Sequence, residues 1–180
     1  YPYIQKNSSD LKIMSFADDV RMSYFQSDFL ENTYLHKEQK KISNYLLSGK
    51  NIIASAPTSF GKSLLIEEIV ASKKYKNIVI IQPTLALLDE TRLKLKKYAD
   101  DYKIVVRTSQ PYSEDKRNLF LLTAERVMEY EPLPQIDFLI IDEFYKLSLR
   151  RKDDRADTLN NAFLKVVNKF HPRFYFLGPN

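Results

Sequence analysis

The chain has 180 residues, enough for one domain with a full hydrophobic core and a small appendage. Apolar residues make up 44% and charged residues 28%, the balance of a globular protein. The absence of cysteine excludes disulfides and thiolate metal sites, and two isolated histidines, His36 and His171, do not make a zinc site.

From the amino end, "YPYIQKNSSDLK" has neither the charged start nor the apolar stretch of a signal peptide, and no run nears the roughly 20 apolar residues of a membrane span. These features predict a soluble, cytoplasmic protein. Residues 16–32, "FADDVRMSYFQSDFLEN", carry apolar or aromatic residues at 16, 20, 24, 25 and 29, a helical stripe. Residues 1–33 therefore read as a helical extension packed on the main domain, with Tyr1, Tyr3, Phe16, Tyr24, Phe25 and Phe29 as core aromatics.

Six continuous apolar runs follow: "NIIAS" (51–55), "NIVIIQ" (77–82), "KIVVR" (103–107), "NLFLLT" (118–123), "DFLIID" (137–142) and "RFYFL" (173–177). Continuous rather than alternating runs predict strands covered on both faces, as in a parallel sheet. Helical spacing over 62–74, 84–99 and 156–170 lies between them, so the predicted fold is α/β, a mainly parallel sheet with helices on both faces. Pro57, Pro83 and Pro179 stand one or two residues past strand ends, where they stiffen turns at the carboxyl edge. That edge is where such sheets bind ligands.

The turn after the first strand reads "APTSFGKS" (56–63). A phosphate loop turns successive backbone N–H groups toward phosphates, with a helix N-terminus behind them. Gly61, where backbone and phosphate approach closely, is present, while Ala56 stands at the first glycine of G-x-x-x-x-G-K-[ST]. In that pattern Lys62 reaches the β and γ phosphates and the Ser63 hydroxyl ligates Mg²⁺. Downstream, "FLIIDEF" sets Asp142 and Glu143 at the carboxyl end of a strand. Asp142 suits Mg²⁺, and Glu143 suits a base that orients and deprotonates an attacking water.

Together these motifs resemble the first RecA-like domain of superfamily-2 helicases of the DExD/H-box type, over roughly residues 35 to 180. "LHKEQKKI" stands at the adenine-reading Q motif, with Gln39 as the reader the resemblance implies. "APTSFGKS" matches motif I, where alanine followed by Pro-Thr is common in that family. It implies a nucleotide site of Pro57, Thr58, Ser59, Phe60, Gly61, Lys62, Ser63 and Leu64. "QPTLALLDE" (82–90) resembles motif Ia and "TAER" (123–126) motif Ib, which implies backbone contacts to DNA or RNA from Thr84, Thr123 and Arg126. "DEFY" stands at motif II, with Tyr145 in place of the family's last Asp or His, and "LGPN" (177–180) stands in place of Ser-Ala-Thr at motif III. Both departures fall on the path that couples hydrolysis to strand separation.

The resemblance implies ATP and Mg²⁺ as cofactors and an ATP-dependent helicase activity. It also implies residues 34–180 as RecA-like domain 1, with a second RecA-like domain, the source of the arginine fingers, outside this chain. The chain by itself is accordingly expected to turn over slowly. "LRRKDDRAD" (149–157) reads as a solvated loop of compensating charges. The net charge of +5 concentrates in residues 51–110, with ten Lys/Arg against six Asp/Glu. A mild basic excess is ordinarily a solvated surface, and it points to a partner only where that face lies near a phosphate backbone. Two other readings stand beside this one: another P-loop NTPase, and a nucleic-acid-binding module without motor activity.

Overall fold

The apolar runs become six strands in the computed structural model, which describes residues 16–57, 60–147 and 154–178. They are β1 (Ile52–Ser55), β2 (Asn77–Ile81), β3 (Tyr102–Val105), β4 (Arg117–Leu122), β5 (Phe138–Asp142) and β6 (Arg173–Gly178). They form one sheet in the order β1-β6-β5-β2-β4-β3. Every pairing is parallel. Six helices accompany them among the described residues: α1 (Phe16–Phe25), α2 (Lys37–Leu47), α3 (Lys62–Ala71), α4 (Leu85–Leu95), α5 (Ala124–Glu129) and α6 (Asp154–Phe170). This is the mixed α/β, RecA-like arrangement, with a helical extension at its amino end.

Parallel pairing dictates the layers. The chain crosses the sheet one way from β1 to β2 to β3 and returns through β4, β5 and β6. Right-handed crossovers then put outward and return connections on opposite faces. The two cores follow this division. Ile78, Ile80, Leu119, Leu121, Phe138, Ile140, Tyr175 and Leu177 face α3 and α4, meeting Leu65, Ile69, Leu88 and Leu95. Their strand neighbours Val79, Ile81, Phe120, Leu122, Leu139, Ile141 and Phe176 face α5 and α6, meeting Val127, Leu159, Ala162 and Val166. Side chains that alternate between two covered faces explain why these runs read as continuous in the sequence. The β3–β4 connection has no helix, and Tyr112 from that loop packs on the second core instead.

The amino end departs from the helical stripe. α1 stops at Phe25, short of the 16–32 run, and the chain turns so that Gln26 bridges Tyr34. Ser27 makes that turn: its hydroxyl donates to Glu68 Oε1 on α3 (2.7 Å) and accepts from the Leu30 N–H (3.0 Å). Lys40 closes it from α2, donating to the Gln26 carbonyl (2.9 Å) and pairing with Asp28 (3.1 Å). Leu30 and Leu35 are the apolar residues buried here, whereas Tyr24 and Phe29, expected in the core, are 62% and 43% exposed. Phe25 is half-buried. Tyr1, Tyr3 and the Phe16 side chain lie outside the described residues.

At the opposite edge from the loops of interest, a polar cluster locks the amino ends of β2, β4 and β5. Asn118 is fully buried, and its amide donates to Asn77 Oδ1 (2.9 Å) and the Ser113 carbonyl (2.7 Å) while Oδ1 accepts from the Ser113 N–H (2.7 Å). Asp137 accepts from the N–H groups of Lys76 and Asn77 (3.0 and 2.9 Å). Replacing Asn118 by Ala strands these partners away from water. We expect Asn118→Ala to lower stability by about 2 kcal/mol, read as a shift of the urea midpoint with an unchanged slope.

Candidate functional site

The loop after β1 is shaped by Gly61 and Gln39. Gly61 precedes α3 with φ +77°, the left-handed region, and no side chain caps that helix at this position. A Cβ at Gly61 would lie 2.5 Å from Gln39 Nε2. Gln39 is buried, its Nε2 donates to the Phe60 carbonyl, and its Oε1 accepts from the His36 N–H (2.6 Å). The amide of Gln39 thus holds the loop's backbone directly. The Phe60 N–H donates to the Pro57 carbonyl (3.0 Å), and its half-buried ring packs against the first core rather than standing free. Leu64 lies in the first turn of α3, its N–H donating to the Gly61 carbonyl (2.9 Å). Thr58 and Ser59 lie outside the described residues.

Lys62 and Asp142 meet across three strand ends. β6 lies between β1 and β5, with Ser55 opposite Gly178 and Asp142 opposite Leu177. Lys62 Nζ donates to the Gly178 carbonyl (2.7 Å), which also accepts from the Ala56 N–H (3.1 Å). Asp142 accepts from the Glu143 N–H (3.0 Å) and from the Gln82 side chain. Burial pushes the Asp142 carboxyl above its ordinary range; hydrogen bonds from Gln82 and Glu143 and the Lys62 charge oppose that rise without cancelling it. Beneath it the Tyr175 phenol is fully buried and shifted upward, first by burial and then by the charge of Asp142.

Glu143 has φ +58°, a left-handed backbone that only a few per cent of non-glycine residues adopt. The strain falls between Asp142 and Phe144, whose ring covers Gly178: a Cβ there would lie 2.8 Å from Phe144 Cε1. Such strain collects where surrounding structure over-determines the backbone. Tyr145 is half-buried in the 3₁₀ turn Phe144–Leu147.

The other three predicted residues occupy the neighbouring half of the same edge. Thr84 and Thr123 follow β2 and β4, which pair as Ile81–Leu122 at their ends. Each is an N-cap, Thr84 accepting from Leu87 N–H (3.3 Å) and Thr123 from Arg126 N–H (3.5 Å). Thr84 is exposed. The Arg126 guanidinium is half-buried and donates to the Val106 carbonyl (2.8 Å), tying α5 to the end of β3. Gln82, Phe144, Tyr175 and Lys94 also belong to the edge. Gln82 and Phe144 lie inside the stretches resembling motifs Ia and II without a role assigned from sequence, and Tyr175 and Lys94 are brought there by the three-dimensional register.

The DEAD/DEAH box helicase family matches residues 36–171. The chain belongs to that family. It is 35% identical to anti-bacteriophage protein B of Escherichia coli (strain K12) over 99% of this chain and 25% of that protein. It is 28% identical to putative helicase 7 of the Sulfolobus islandicus filamentous virus (isolate Iceland/Hveragerdi), over 73% of this chain and 24% of that protein. It is 22% identical to the helicase POLQ-like protein of Homo sapiens, over 91% and 16%. The chain spans a quarter or less of these relatives' lengths. Membership of the DEAD/DEAH box helicases implies, in general terms, binding of ATP and Mg²⁺, nucleotide hydrolysis and binding of nucleic acid. Among the described residues no helix is long and apolar enough to cross a membrane.

The residues at this edge fit Mg²⁺-ATP on the helicase domain's own geometry. Gly61 leaves a backbone cradle that a Cβ would fill, and α3 carries no acidic residue in its first turn to repel phosphate. Asp142 keeps an uncompensated desolvation that a cation would relieve. Gly61→Ala should therefore cost about 1–2 kcal/mol from the left-handed backbone alone, plus the displacement of Gln39. In a Gln39→Ala background the cost should fall toward the backbone part, a non-additivity that a double-mutant cycle of urea midpoints measures.

Proposed function

We propose that this chain is the ATP-binding motor domain of a nucleic-acid helicase or translocase, in which hydrolysis of Mg²⁺-ATP drives movement along, or separation of, strands within a longer protein. The observation that carries the reading is the gathering of Gly61, Lys62, Gly178, Asp142 and Glu143 at three adjacent strand ends, with Thr84 and Thr123 at the next two. Two of the relatives are named as helicases, which agrees with it. A second RecA-like domain in the same longer chain would supply the arginine that phosphoryl transfer usually needs, worth ~10³–10⁵ in rate.

The division of labour follows from charge and reach. Lys62 leaves the Gly178 carbonyl for the β and γ phosphates, since an anionic oxygen is the stronger partner for an ammonium. Ser63 and Asp142 hold Mg²⁺, which when bound neutralises charge on the phosphate oxygens. Glu143 orients a water and takes its proton. Gln39 reads adenine and, through Phe60, sets the loop. Thr84, Thr123 and Arg126 contact the nucleic-acid backbone, which gives affinity without sequence selection. DNA and RNA are both compatible with backbone contacts of this kind.

Two substitutions test the assignment. Lys62→Ala should nearly abolish Mg²⁺-ATP binding to this chain by calorimetry, because the lysine is the loop's mobile positive charge; unchanged affinity would put the site elsewhere. Glu143→Gln in the full-length protein should keep ATP binding and slow single-turnover hydrolysis by ~10²–10⁴. Normal hydrolysis with that substitution would remove Glu143 from the role of base.

A further inference from the structure

Lys94 comes from α4, and no phosphate-binding motif includes it. Its ammonium donates to the Ser63 hydroxyl at 2.8 Å. Both side chains are exposed, so the contact alone would be a mobile surface pair, but the backbone fixes where it can form. One turn further along both helices, Tyr98 donates to Glu67 Oε1 (3.1 Å), and Lys97 pairs with the same oxygen. Ser63 and Glu67 are four residues apart on α3, as Lys94 and Tyr98 are on α4 and the 3₁₀ turn that continues it. The two contacts are consecutive rungs of one side-by-side pair of helical segments. Leu95, fully buried between the rungs, locks the register. Lys94 is thus delivered to Ser63 by packing and not by chance of rotamer.

We infer that Lys94 is a stand-in cation for the nucleotide site, holding the Ser63 hydroxyl when no divalent ion is bound and yielding it when one arrives. The inference rests on the proposed role of Ser63 as a Mg²⁺ ligand. A hydroxyl oxygen that accepts from an ammonium cannot turn the same lone pair to a metal, and two cations at one oxygen repel each other. With metal absent, the Lys94 charge stays within side-chain reach of the phosphates and favours the nucleotide. With metal present, the contact must break. Both effects lower the factor by which Mg²⁺ tightens ATP binding, a coupling between two ligands in the thermodynamic sense. Lys94 is a positioning residue that acts through Ser63.

The test is the ratio of ATP dissociation constants in EDTA and in saturating Mg²⁺, measured by calorimetry on this chain. Lys94→Met should raise that ratio by about three- to tenfold, the scale of one exposed charge-assisted contact, and the increase should shrink as salt rises. Lys94→Arg, which keeps the cation, should leave the ratio within about twofold of the unmodified chain. A ratio unchanged or lowered in Lys94→Met, or raised equally by Lys94→Arg, overturns the inference. Ser63→Ala separates the two levels of the argument. It should lower the ratio, and if it does not, Ser63 is no metal ligand and both the site assignment and the role of Lys94 fall. If it does while Lys94→Met changes nothing, the inference on Lys94 falls alone.

Discussion

Parallel pairing is the constraint on which everything else in this molecule depends. A parallel neighbour cannot be reached by a tight turn, so most connections carry a helix across the sheet. All six strands must then end at the same edge. The loop after β1 lies 116 residues from Gly178 at the end of β6, counted from Lys62, and Asp142 at the end of β5 falls between them in sequence, yet all three become neighbours because their strands are. The same constraint lines up Thr84 and Thr123 beside them. The proposed nucleotide and nucleic-acid contacts can share one edge only because no strand runs the other way.

Within that edge, the Gly178 carbonyl is where three motifs touch. It accepts from Ala56 and Lys62 of the phosphate loop, and the Gly178 Cα lies under the Phe144 ring next to Glu143. The sequence departures at motifs II and III fall around this junction. A Ser-Ala-Thr would bring a Cβ and a hydroxyl here; glycine instead lets an aromatic ring close on the strand end. Phe144, Phe163 and Phe174 in turn pack around Phe176 on the second face. Among the described residues the Gly178 carbonyl accepts from Ala56 and Lys62, so a phosphate that drew the lysine away, as proposed, would remove one of the two bonds at the end of β6.

The strands were legible in the sequence to within a residue or two at most ends because burial on both faces leaves an uninterrupted apolar run. Helix α6 was legible for a related reason, its long amphipathic stripe facing the second core. α5 was legible only at its start, where the stretch resembling motif Ib implies a helix N-terminus at Thr123, since six residues are too few for helical spacing to show. The stripe over 16–32 misled because its apolar residues serve different ends. Leu30 is buried in a turn held by Ser27 and Glu68, whereas Tyr24 and Phe29 face solvent. For the site, the motif residues announced themselves through chemistry that only a few side chains can supply. Their supports did not. Gln82 and Phe144 stand inside motif stretches and Lys94 outside them, but all three are placed by register and packing, and no residue type signals that in advance.

α4 shows how packing can matter more than motif. It buries only Leu88 and Leu95, whereas α3 beside it buries every residue from Leu65 to Val70. A helix so lightly anchored is positioned largely by its ends. At one end stands Thr84, exposed and capping the first turn; at the other, the rungs to Ser63 and Glu67. Eleven helical residues span ~16 Å, and a helix transmits tilt without absorbing it. If Thr84 takes a strand phosphate as proposed, any shift of α4 needed to seat it moves Lys94 relative to Ser63. Two leucines hold this helix in the core where six buried residues hold its neighbour, and one of the two, Leu95, sits at the end that carries Lys94. Of the two helices that follow β1 and β2, the one that runs from the Thr84 cap to the Ser63 contact is therefore the less buried.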